Sequence, residues 1–130
     1  MTLARQQTGR AAEDLTAARL EGLGWRIIER NARTRFGELD IVALDRRTLV
    51  FVEVKAGRAE SRAGPERPVL AVGLQKQRRL RRLAGAWLAD ARAAGALASF
   101  RFAEIRFDAV GVTYDSAGQV ADCEHIKAAF

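Results

Sequence analysis

Two apolar runs, LDIVAL at 39–44 and LVFVEV at 49–54, stand on either side of Asp45, Arg46 and Arg47. Each has the length and β-branched content of a strand, and the polar break between them reads as the turn of an antiparallel hairpin. Leu39, Ile41, Ala43, Val50, Val52 and Val54 share one side of that hairpin, with no polar group among them. The other side is also largely apolar, so both faces need cover. A mixed sheet with helices on both faces supplies it.

The rest of the chain has the elements for that arrangement. Residues 9–24 repeat apolar positions at threes and fours and stop at Gly24. Residues 25–33 are β-like and end in a polar turn through Thr34, Arg35 and Phe36, and residues 74–94 form a long Arg- and Leu-rich helix. Residues 100–114 alternate as a strand, which "DSAG" turns into a last strand at 119–126. The predicted order is helix, strand, hairpin, helix, strand, strand: an α/β fold with a mixed sheet of about five strands. Residues 57–68 hold both prolines and read as a mobile loop directly after Lys55. At 130 residues, without repeats or low-complexity tracts, one domain over residues 1–130 is expected.

Charge narrows the partners. Lys and Arg outnumber Asp and Glu by 22 to 16, and ten of the basic residues against three acidic ones fall between Lys55 and Arg92. Such a concentration predicts a positive surface for a polyanion. Cys123 is the sole cysteine, which rules out an intramolecular disulfide and fits a reducing cytoplasm. No apolar run approaches the roughly 20 residues that span a bilayer, so no membrane association is expected.

Ionisable groups interrupt the hairpin where a core would have none: Glu38 and Asp40 in the first strand, Glu53 and Lys55 in the second. Side chains alternate, so each pair shares a face. A two-residue loop at Arg46 and Arg47, or a four-residue loop at 45–48, sets Asp40 opposite Glu53 and Glu38 opposite Lys55; a three-residue loop without a bulge breaks this register. In the first register two carboxylates lie about 5 Å apart, which is repulsive unless a cation sits between them. Two chemistries answer that. The oxygens suit a hard divalent ion, typically Mg²⁺ when water and a phosphate fill the other positions, with Lys55 orienting a water or stabilising phosphate charge. Alternatively, Asp40 and Glu53 belong to an ion network neutralised by Lys55 and neighbouring arginines.

Asp40 followed by Glu53-Val54-Lys55 on the next strand resembles the PD-(D/E)xK nuclease signature, and Glu13 matches the extra helix-borne acid of many members. "GELDIVA", "FVEVK", "RFD" at 106–108 and the ending "HIKAAF" together look like the YraN-like family of bacterial endonuclease-like proteins, related to archaeal Holliday-junction resolvases. The resemblance runs from about residue 9 to residue 130. It implies a restriction-endonuclease-like fold, Asp40 and Glu53 as ligands for Mg²⁺ or Mn²⁺, and Lys55 as the catalytic lysine. Glu13 would then act through water or hold a neighbour of the metal. Leu39 stands where the signature usually has proline. Glu38 is read either as a strand-entry charge paired to Lys55 or Arg35, or as a catalytic group.

On the long helix, Leu80, Leu83, Ala84, Trp87, Leu88 and Ala91 form one stripe, with Lys76 beside it. Lys76 either reaches the scissile phosphate and the carboxylates or lays its stem along the helix edge. Arg78, Arg79, Arg81 and Arg82 form a phosphate-binding or solubilising face, joined by Arg58 and Arg62 of the loop at 57–68. His125 and Cys123 lack nearby partners for a zinc shell. Asp108, two residues from Arg106, reads as structural. The expectation is a nucleic-acid-binding protein, a metal-dependent nuclease acting on branched DNA, with a homodimer suited to a two-fold substrate. The alternative is a non-catalytic nucleic-acid-binding module that keeps the fold.

Overall fold

The computed structural model describes residues 3–59 and 72–130. Helix α1 (Leu3–Gly22) precedes strands β1 (Arg26–Thr34), β2 (Gly37–Asp45) and β3 (Thr48–Arg58). Helix α2 (Leu74–Ala93) and a short 3-10 turn (Ala96–Ser99) then lead to β4 (Glu104–Tyr114) and β5 (Val120–Ile126). The strands form one sheet in the order β1-β2-β3-β4-β5, antiparallel throughout except for the parallel pair β3 and β4. A parallel pair needs a crossover, and α2 lies within it. This is the mixed sheet between helices that the sequence predicts, an arrangement consistent with a nuclease-like fold.

Two cores follow from the two-sided hairpin. On the α2 side, Leu39, Val42, Leu49 and Phe51 pack with Leu83 and Trp87. On the α1 side, Ile41, Ala43, Val50 and Val52 pack with Ala12, Leu20 and Trp25. Trp87 also donates its indole N–H to Glu29 of β1 at 3.1 Å, so the ring is buried without an orphaned donor. Among the described residues, no buried side-chain nitrogen or oxygen lacks a hydrogen-bond partner, and no helix is long and apolar enough to cross a membrane.

Several boundaries differ from expectation. Helix α1 begins at Leu3, six residues early, because Ala, Arg and Gln in that stretch are good helix formers. It ends at Gly22, and Gly24 follows at φ +89 while the N–H groups of Leu23, Gly24 and Trp25 return to carbonyls of the last turn. Strand β3 continues through Gly57 and Arg58, which pair with Thr113 and Tyr114. The rest of the expected loop, with Arg62, lies outside the described residues. Strand β4 starts only at Glu104, where the N–H groups of Ala103 and Glu104 both meet the carbonyl of Arg47.

Asp108 is fully buried and forms the hub of the C-terminal end. Its carboxylate accepts from Arg106 Nε at 2.8 Å and Nη2 at 3.0 Å, and from the Ala128 N–H at 3.0 Å. It also meets His125 Nε2 at 2.8 Å. Burial raises its pKa, but the hydrogen bonds from His125 and Arg106 outweigh that and hold it below the usual carboxylate range.

Candidate active site

The hairpin pairs from Asp45 and Thr48 up to Ile41 and Val52, and no further. Beyond that point β2 and β3 fork, and the Asp40 carboxylate enters the gap: its Oδ2 accepts the Val54 N–H at 2.8 Å. A side chain thus takes the place of a missing ladder bond. Two backbone features accompany the fork. Asn31, on the adjoining strand, has φ 50. Leu39 packs on the α2 side although Ile41, two residues on, packs on the α1 side, so alternation breaks at Asp40. The sequence reading had placed Leu39 and Ile41 on one face, because it assumed an unbroken pleat.

Asp40 meets two other acids in this fork. Its carboxyl lies against those of Glu53 of β3 and Glu13 of α1, and Glu13 in turn lies near Asn31. Burial first, then the Glu53 charge, pushes the Asp40 pKa up to about 8. At neutral pH Asp40 therefore keeps its proton. Burial also raises the pKa of Glu13, against the pull of Arg30.

Glu53 is 8% exposed and collects the cations. Lys76 Nζ approaches its Oε1 at 2.9 Å and Lys55 Nζ at 3.5 Å. Helix α2 delivers Lys76 because its apolar stripe seats on the sheet with Leu80 and Leu83 buried, which leaves Lys76 leaning over β3. Of the two readings of Lys76 from sequence, the geometry is that of a lysine reaching a carboxylate, Glu53.

Other predicted residues disperse. Glu38 does not come opposite Lys55; it pairs with Arg33 of β1, its Oε1 3.4 Å from Arg33 Nη2, because β2 has already left β3 there. Arg58 lies exposed at the end of β3, and Arg78 is exposed on α2. Arg79 Nη2 lies 2.8 Å from where a Cβ on Gly37 would be. Arg81 turns instead over the rings of Phe107 and Phe130, at 4.8 and 5.9 Å from their centroids. Asn31 went unnoticed in the sequence. An Asn inside a β-like run was its signal, since Asn tolerates positive φ better than most residues.

Oxygen donors in mutual contact are what a hard divalent ion takes, and such ions fill several positions with water. Asp40 and Glu53 are the residues that would hold one, were it bound. Among the described residues no group of three or more His, Cys, Asp or Glu side chains is arranged around a metal position, so the side chains would supply a minority of the ligands.

The chain matches the model of the uncharacterised protein family UPF0102 over residues 12–112. It belongs to that family. UPF0102 is the YraN-like group that the sequence motifs resemble, and the matched span includes Glu13, Asp40, Glu53, Lys55 and Lys76. A UPF0102 protein of Geobacter metallireducens is 42% identical over 130 residues, covering 100% of this chain and 97% of its own. One from Mycobacterium tuberculosis is 40% identical over 130 residues, covering 97% and 94%. Another, from Mycobacterium sp. strain JLS, is 45% identical over 113 residues, covering 85% and 76%.

Proposed function

We propose that this UPF0102 protein is a metal-dependent nuclease of the PD-(D/E)xK type that cleaves phosphodiester bonds in structured DNA, branched DNA above all. The observation that carries the reading is the Asp40–Glu53 contact. Two carboxylates meet in a strand fork, and at neutral pH Asp40 needs a proton to sit beside Glu53. A divalent cation removes that need, and the all-oxygen donor set fits Mg²⁺ or Mn²⁺. When bound, such an ion supplies Lewis acidity and an activated water.

The chain's own residues supply the rest of the chemistry. Lys55 and Lys76, both on Glu53 Oε1, are positioned to hold a phosphate oxygen or orient a water beside it. Glu13 takes part through its contact with Asp40. Arg58, Arg78, Arg79 and Arg82 grip the backbone, which gives affinity without base readout. A homodimer would present two such sites to a two-fold junction.

One observation favours a second reading, a nucleic-acid-binding module without cleavage. Lys76 already lies 2.9 Å from Glu53 and neutralises it without any metal. Calorimetry with Mn²⁺ separates the two: the nuclease reading expects binding to the wild type and none to Asp40→Asn. Cleavage of branched, flapped and linear DNA with Mg²⁺ should be lost in Glu53→Gln and Lys55→Ala. Nucleic-acid binding with neither metal uptake nor cleavage refutes the nuclease and supports the module.

A further inference from the structure

The β1–β2 turn places a phenyl ring on the surface beside this site. Phe36 is 42% exposed, and its position is fixed by its neighbours. Thr34 Oγ1 accepts the Phe36 N–H at 3.1 Å and donates to the Gly37 carbonyl at 2.9 Å, while Thr34 itself is buried. Gly37 has φ +138, and a Cβ there would lie 2.8 Å from Arg79 Nη2. The guanidinium therefore lies close over the Gly37 backbone, where a side chain would have to push it aside. Two more guanidiniums lie over the ring, Arg35 at 4.8 Å and Arg82 at 5.8 Å from its centroid, where a base could displace the more distant one.

Helix α2 connects this ring to the carboxylates. Lys76 on Glu53, Arg79 on the turn and Arg82 at the ring follow at intervals of three residues along one helix ridge. At ~1.5 Å of rise per residue the ridge spans about 9 Å, which is two to three nucleotides of a strand stacked at ~3.4 Å. A rigid aromatic face among three guanidiniums suits an unpaired base with phosphates on either side. A base inside a duplex is stacked above and below and has no face to offer. A protein partner would want apolar neighbours around Phe36, and the turn supplies cations instead.

We infer that Phe36 is a base-stacking residue that captures an unpaired base two to three nucleotides from the phosphate at the Asp40–Glu53 site, and so selects single-stranded, flapped or branched nucleic acid over continuous duplex. The register to that phosphate rests on the nuclease reading; the stacking itself needs neither metal nor cleavage.

The test is equilibrium binding in EDTA of a labelled single strand, a flapped duplex and a blunt duplex to the wild type, Phe36→Ala, Phe36→Leu and Phe36→Trp. Stacking predicts that Ala and Leu weaken single-strand and flap binding about five- to a hundredfold. Blunt-duplex binding should change less than twofold, and Trp should retain affinity. Equal losses on all three DNAs, no loss on any, or Leu binding as well as the wild type would overturn the inference. So would a change in sedimenting mass with binding unaltered, which would make Phe36 a contact between copies of the chain. Metal-dependent cleavage of the flap by the wild type is scored separately. A protein that binds with the Phe36 pattern but never cleaves refutes the nuclease and leaves the stacking standing, whereas one that binds none of the three DNAs overturns both.

Discussion

Replacing Asp40 with asparagine should make the protein more stable at alkaline pH and less sensitive to pH. An amide is the shape of a protonated carboxyl: it can still accept the Val54 N–H, now made at 2.8 Å to Oδ2, and it donates to Glu53 without needing a proton. In the wild type the folded Asp40 keeps its proton up to about pH 8, whereas the unfolded chain releases it near the ordinary 3.8. The folded state thus binds more protons between those values, and stability falls as pH rises through the window, at up to ~1.36 kcal/mol per unit. From pH 5 to pH 8 the difference between wild type and Asp40→Asn is on the order of 4 kcal/mol. Urea unfolding of both proteins in EDTA at pH 5, 6.5 and 8 measures it, and other titrating groups cancel in the comparison. Mn²⁺ should recover the lost stability in the wild type and not in the variant. Parallel pH curves for the two proteins, or a variant less stable than wild type at pH 8, would refute the account of a proton held on Asp40.

Lys76→Met removes the cation at 2.9 Å from Glu53 and should tighten Mn²⁺ binding severalfold by calorimetry while weakening DNA binding; unchanged metal affinity would mean that Lys76 does not compete for that oxygen. Asp108→Asn leaves Arg106 and His125 short of a buried anion and should cost about 3–5 kcal/mol in denaturant unfolding. The Asp108 contribution is present above the usual carboxylate range and is lost as pH falls through the depressed folded pKa, so the gap between wild type and variant should shrink in acid. For Arg79→Ala, binding of a duplex measured against salt concentration should show a log–log slope shallower by about one, since one phosphate contact is removed. An unchanged slope would place Arg79 off the nucleic-acid path.

Much of this arrangement was legible in the sequence because the hairpin is apolar on both sides and its turn is short. Those two facts give the central strands, the helices on both faces and the pairing of Ile41 with Val52. Legibility stops where the pleat does. Nothing in GELD announces that pairing ends one step before Asp40, so Glu38 was aligned with Lys55 by extrapolation and in fact pairs with Arg33. The same extrapolation did bring Asp40 to Glu53, because the fork is narrow enough for two side chains to meet across it. Lys76 was visible as a misfit on a helix stripe. Its partner was not, since the path of α2 over the sheet depends on how Leu83 and Trp87 pack. Phe36 looked like one apolar residue in a polar turn, and its meaning lies in Arg79 and Arg82, more than forty positions away.

Asp40 and Asp108 show what separates a site acid from a structural one. Both are strand-borne aspartates, Asp108 fully buried and Asp40 half-buried. Asp108 is met by a bidentate guanidinium, a histidine and a backbone N–H, so its charge is matched within the fold and its pKa falls. Asp40 receives one N–H, and its other close neighbours are carboxyls, so its pKa rises. The two lysines that would balance it are both spent on Glu53. A fold that merely tolerated an acid at position 40 would be relieved by any neutral residue there, as Asp40→Asn tests. One that gathers three acids and two lysines in a strand fork keeps its charge in balance only while Asp40 holds a proton. On the proposed nuclease reading a divalent ion would take the place of that proton while Lys55 and Lys76 stay free to meet a phosphate, so metal uptake and pH dependence should be lost together when Asp40 is neutralised.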